Sequence, residues 1–138
     1  MTTTVVQQKL ENLRRCLARI RAKVPPSAAA LAVDLDAQDI VAVNLERAVQ
    51  IAVDLATHVL AARQGRAPAT MADAFQVLVE ESILDAGLAL RLRRAVALRN
   101  ILVHEYQRID WGIVFAAATV GLADLELYAR TIASHDPG

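Results

Sequence analysis

Apolar residues recur every three or four positions through almost all of the 138 residues, and no strand-like alternation lasts more than a few residues, so the pattern predicts an all-α fold. Val6, Leu10, Leu13, Leu17, Ile20 and Val24 form the stripe of a first helix from roughly Thr3 to Lys23. Pro25 and Pro26 end it, since proline lacks the backbone donor and disfavours a helical residue before it. After a loop through Leu31 and Asp34, a second helix is expected to open at Asp36 and run to about Arg63, with Gly65 and Pro68 stopping it. It is apolar around most of its circumference, apart from a polar stripe of Arg47, Gln50, Asp54 and His58. Thr70 with Asp73 predicts a capped short helix through Phe75 and Val79, and Asp85 caps a fourth that reaches Leu102 or Val103. The fifth begins at Asp110, with Trp111, Val114, Phe115, Ala118, Leu122, Leu125 and Ile132 on one face and Ile113, Ala117, Val120 and Leu127 on a second. Two apolar faces on one helix predict a bundle interior and a partner surface.

Length gives one domain, residues 1–138, without repeats or linkers. The apolar share is 55% with only 4% aromatic residues, and mean hydropathy is +0.33, so the chain is expected to bury more than its own interior. A formal charge of zero excludes a global field for nucleic acid. Any such contact has to be local, and the most basic window is Arg91 to Arg108, with five arginines against Glu105. Cys16 stands alone, which excludes a disulfide framework or paired-cysteine metal site. The N-terminal residues do not read as a signal peptide, and no run of about 18 apolar residues suits a membrane span. The expectation is a soluble cytoplasmic protein with no membrane association.

Candidate chemistry concentrates in RNILVHEY, residues 99–106. Arg99 falls inside the apolar arc of Leu88, Leu92, Ala95 and Leu102, where a guanidinium needs an anion. Either a carboxylate, with Asp54 the first candidate, or a visiting phosphate has to supply it. Asn100 and His104 share a different face, so His104 points away from Arg99 unless the helix breaks between them or a second chain contributes. Histidine as a residue type moves protons near neutrality, and arginine stabilises phosphate charge, a combination suited to metal-free phosphodiester cleavage. In RNA the 2′-hydroxyl is a built-in nucleophile that needs a base while the leaving oxygen needs an acid. A symmetric dimer would bring two histidines and two arginines to one cleft. The competing reading is structural, because cations near a helix C-terminus oppose the macrodipole and Tyr106 can be a half-buried anchor.

In this context Arg99-x4-His104-x-Tyr106, at the end of the fourth helix, resembles the signature of the HEPN superfamily and specifically of HepT-like toxins of toxin–antitoxin pairs. The resemblance extends through VVQQKLENLRRCLARI, VAVNLERAVQIAVDLATHVLA, DAFQVLVEESILD and the closing amphipathic helix. It implies an up-and-down bundle of about five helices that works as a homodimer. It further implies a metal-independent endoribonuclease with Arg99 and His104 of both protomers at a shared cleft, supported by Asn100. The substrate would be tRNA or mRNA. The implied partner is a minimal nucleotidyltransferase antitoxin of a type VII pair, which uses ATP to transfer AMP to Tyr106; the toxin itself needs no cofactor. The alternative within the same resemblance is a non-cleaving dimeric module that binds this partner and is modified by it.

Other polar groups have plainer readings. Asp54 and His58 could form one edge of a metal site but lack a third ligand nearby. Glu80, Glu81 and Asp85 suit a solvated helix terminus, and His135 falls in a tail, SHDPG, expected to be disordered.

Overall fold

The computed structural model describes residues 4–136, with Tyr106 described by its backbone alone. Among these residues there are seven α-helices and no strand: α1 (Val5–Lys23), α2 (Ala28–Leu31), α3 (Leu35–Ala61), α4 (Met71–Glu80), α5 (Ala86–His104), α6 (Trp111–Ala118) and α7 (Val120–Ala133). A 3-10 turn, Tyr106–Arg108, links α5 to α6.

Short polar side chains start most of the helices, as their sequence placement predicts. Thr4 closes a full capping box with Gln7, each side chain accepting from the other's backbone N–H. Thr3, the expected first residue of this helix, lies outside the described residues. Thr70 accepts from the Asp73 N–H at 3.1 Å and Asp85 from the Leu88 N–H at 3.1 Å. For α3 the cap is Asp34, accepting from Ala37 N–H at 3.0 Å, and the predicted Asp36 lies in the first turn, where its charge favours the helix N-terminus. The expected loop before it contains α2, capped by Ser27 through the Ala30 N–H at 3.0 Å. Leu31 is fully buried there, and its carbonyl accepts from the Gln38 amide at 2.9 Å.

α3 is the axis of the bundle and packs against α1, α4, α5 and α7, which explains why its apolar residues cover most of its circumference. Tyr128 on α7 is completely buried, donates its hydroxyl to the Ala52 carbonyl of α3 at 2.7 Å, and meets Phe75 of α4 edge-on at 5.5 Å. Burial pushes its phenol pKa well up, so it stays a donor.

The single fifth helix expected from periodicity is two helices, bent by 43° at Thr119. The Thr119 hydroxyl donates to the Phe115 carbonyl at 2.7 Å, a back-bond that bends helices. The bend lets Val114, Ala118, Leu122, Leu125 and Ile132 all reach the core. No single helix among the described residues is long and apolar enough to cross a membrane.

Two local devices secure the ends of α4. Arg66 forks onto Asp73 at 2.7 and 2.8 Å and onto Glu80 at 2.8 and 2.9 Å, tying the preceding loop to the helix. At the other end Ser82 is left-handed, with φ 59°. Its N–H reaches the Val79 carbonyl at 3.0 Å and the Ile83 N–H reaches the Leu78 carbonyl at 2.9 Å, a Schellman closure with Ile83 and Leu78 buried. Of the tail expected to be disordered, Pro137 and Gly138 lie outside the described residues, and the rest needs correction: His135 is half-buried, with Nδ1 3.0 Å from the Thr131 carbonyl, because hydrogen-bonded turns extend α7 through Ser134, His135 and Asp136.

Candidate active site

Arg99 lies on the last turns of α5, half-buried, facing α3. Its Nη1 donates to Asn100 Oδ1 at 3.1 Å and its Nη2 to Gln50 Oε1 at 3.2 Å. Its Nε is buried without a hydrogen-bond partner. The carboxylate expected first, Asp54, does not meet the guanidinium directly. One turn along α3, Gln50 stands between them, donating its amide to Asp54 Oδ1 at 3.0 Å, while Asp54 Oδ2 pairs with Lys9 of α1 at 3.7 Å. Asp54 therefore fixes Gln50, and Gln50 fixes Arg99. The geometric reason is reach: Gln50 already occupies the α3 position opposite Arg99.

This relay leaves the positive charge of Arg99 uncompensated. Both of its partners are neutral carbonyl oxygens, and no ion pair among the described residues involves it. Partial burial strengthens its attraction for an anion compared with a solvated arginine. Such a guanidinium is oriented but electrostatically open, as a phosphate-binding group needs to be.

Asn100 is exposed beside Arg99, and His104 is exposed at the last position of α5. The helix runs unbroken through both residues, closed by the Glu105 N–H on the Ile101 carbonyl at 2.8 Å. Five residues of regular helix separate Arg99 and His104 by about 140° around the axis and about 7.5 Å along it. Of the two ways to bring these side chains together, a helix break between them is thus absent. His104 lines a shallow cavity of about 410 Å³ with Glu105, Gln107 and Arg108. The Tyr106 side chain lies outside the described residues; its backbone opens the 3-10 turn directly after His104.

Next to Arg99 an apolar cavity of about 280 Å³ opens between α3, α5, α6 and α7, with Leu45, Val49, Leu98, Ile113 and Val120 in its walls. Ile113 is 56% and Val120 80% exposed, so the second apolar face expected of the last helix survives its division into two. Exposed apolar groups so close to an open guanidinium are unusual for an isolated surface. His58 is exposed and Asp54 is committed to Gln50 and Lys9. Among the described residues no three His, Cys, Asp or Glu side chains are grouped to hold a metal.

The chain is similar to known proteins along nearly its whole length. A family model described as Ribonuclease HepT-like matches residues 7–132. The mRNA nuclease HepT of Shewanella oneidensis is 30% identical over 128 residues, 93% of this chain and 96% of that protein. The tRNA nuclease HepT of Aphanizomenon flos-aquae is 36% identical over 91 residues, 66% of this chain and 62% of that protein. Among solved structures, the tri-AMPylated Shewanella oneidensis HEPN toxin in complex with MNT antitoxin superposes with a TM-score of 0.88 at 28% identity, covering 96% of this chain and 99% of that one. A toxin–antitoxin structure with AMP-PNP gives 0.87 at 27% identity, covering 95% and 99%.

Proposed function

From the premise that this chain belongs to the ribonuclease HepT-like family, we propose that it is a metal-independent endoribonuclease toxin, cytoplasmic and active as a homodimer. In this reading His104 of one protomer removes the proton from an RNA 2′-hydroxyl, whose oxygen attacks the adjacent phosphorus. Arg99 takes up the charge that accumulates on the phosphorane oxygens. His104 of the other protomer protonates the departing 5′-oxygen, leaving a 2′,3′-cyclic phosphate and a 5′-hydroxyl. Asn100, bonded to Arg99, helps to hold the phosphate, and Asp54 acts at one remove through Gln50.

The observation that carries the proposal is the bonding of Arg99: held in place by two neutral oxygens, it retains its charge for a substrate. A second support is the unbroken end of α5, which leaves a second chain as the way to bring a histidine and an arginine to one phosphate. The exposed Ile113 and Val120 beside Arg99 suit such a dimer contact.

Regulation follows the relatives. The partner would be a minimal nucleotidyltransferase antitoxin that transfers AMP from ATP to Tyr106, two residues after His104. A bulky anion there would block the RNA path and repel its phosphates.

The purified chain is expected to cut tRNA or mRNA in EDTA and leave cyclic or 3′-phosphate ends. His104→Ala should abolish cutting and leave the stability within about 0.5 kcal/mol of the parent in denaturant unfolding, since the residue is exposed. Retained cutting in that variant would reject the assignment. AMP addition to Tyr106 without prior cutting would favour the non-cleaving module.

A further inference from the structure

A groove of about 600 Å³ between α1 and α3 is roomier than the apolar cavity of about 280 Å³ beside Arg99. Arg15 and Arg19 enter it from α1 and Arg47 from α3, with Asn12 and Asn44 among them. No acidic residue lines it. None of the ion pairs among the described residues uses these three arginines, and all three are exposed. In a chain whose formal charge is zero, three positive groups with no counter-charge in one groove is a local concentration that the total conceals. Arg47 and Arg15 also converge on the Cys16 thiol at the groove wall, where they counter part of the upward pKa shift that burial imposes.

One residue links the groove to Arg99. Gln50, three residues beyond Arg47 on α3, lines it and is the residue that holds Arg99. Arg15 and Arg19 are one turn apart, about 6 Å along α1, a spacing that lets two guanidinium groups take separate phosphates of one strand.

We propose that this groove binds the backbone phosphates of single-stranded RNA flanking the cleaved bond, with Arg15, Arg19 and Arg47 as the phosphate contacts. The inference rests on the ribonuclease reading above and adds where the rest of the strand lies. An acidic protein surface is the competing occupant; the link to Arg99 through Gln50, which lines the groove and holds that guanidinium, favours the nucleic acid whose phosphate Arg99 would receive.

The test measures binding apart from cleavage. In a His104→Ala background, fluorescence anisotropy with a single-stranded RNA of about a dozen nucleotides compares the parent with the R15A/R19A/R47A triple variant. The control is R130A, which removes an exposed arginine outside the groove. Three lost phosphate contacts should weaken binding at least tenfold and reduce the slope of log affinity against log salt by about 2, at about 0.7 per single-strand contact. R130A should stay within about twofold, and the triple lysine variant should recover most of the slope. Circular dichroism checks the fold, and the single variant R19A, with a proportionately smaller loss, serves if the triple variant is unfolded.

Parent-like affinity and slope in the folded variant would overturn the groove assignment while leaving RNA cleavage standing. Unchanged RNA binding with loss of the nucleotidyltransferase complex would overturn it in favour of a protein contact. Failure of the parent itself to bind RNA would overturn both the groove and the ribonuclease reading.

Discussion

Arg99 owes its availability to the residue opposite it. Gln50 offers a carbonyl oxygen at 3.2 Å where a carboxylate would have neutralised the guanidinium. Gln50→Leu removes the hold and should lower kcat/KM about tenfold, near 1.4 kcal/mol of transition-state stabilisation. Gln50→Glu should be worse than Gln50→Leu, because it would bind Arg99 more firmly but occupy its charge. Steady-state cleavage of one RNA by both variants decides; a glutamate variant more active than the leucine variant would show that Arg99 needs only to be held. At this scale the sequence placed Gln50 and Asp54 on one stripe facing the arginine. It did not order them, because both lie within a turn of each other and only the α3–α5 crossing decides which is opposite Arg99. The role of Tyr128 is not legible in the sequence, because a tyrosine on an amphipathic helix gives no signal of its bond to the Ala52 carbonyl.

Among the elements, α4 is the one whose ends can be adjusted without touching the site. Ser82 holds a left-handed conformation that glycine adopts without a Cβ penalty, so Ser82→Gly should raise stability by about 1 kcal/mol in denaturant unfolding. A loss of stability would mean that the Ser82 side chain contributes something its backbone geometry does not reveal. At the other end, Arg66 holds the Asp73 and Glu80 carboxyls below their ordinary pKa values, chiefly through hydrogen bonds. Carboxyls with lowered folded-state pKa values add stability above their unfolded values, which is lost as pH falls through the folded ones. Thermal melts should therefore weaken progressively below about pH 4. Arg66→Ala should be less stable near neutrality and lose less on acidification, the effect being modest because Arg66 and Glu80 are exposed and Asp73 only half-buried. Parallel pH profiles for the two proteins would contradict this. Helix existence was legible from the caps at Thr70, Asp85 and Asp110. The break at Thr119 was not, since the inward stripe continues through it in register and only a side-chain bond to the Phe115 carbonyl turns the axis.

For the whole molecule, the high apolar content noted in the sequence corresponds to two different things. Most of it forms a continuous core around α3, while Ile113, Val120 and Leu127 remain outside it. The all-α class and single bundle were legible because helical periodicity is a property of each segment alone. The shared cleft is a proposal that two arguments reach: the chemistry of one histidine per chain, which calls for a second copy, and the resemblance, while a motif at the end of one helix does not say which second surface completes it. That shared cleft is the central claim, and mixtures of chains test it most directly. Wild-type and His104→Ala chains, combined in varied ratios and allowed to exchange protomers, are assayed for RNA cleavage in EDTA. If each cut needs a histidine from both protomers, activity falls with the square of the wild-type fraction. Activity that instead falls in simple proportion to the wild-type fraction would mean that each chain cuts alone, and would contradict the account.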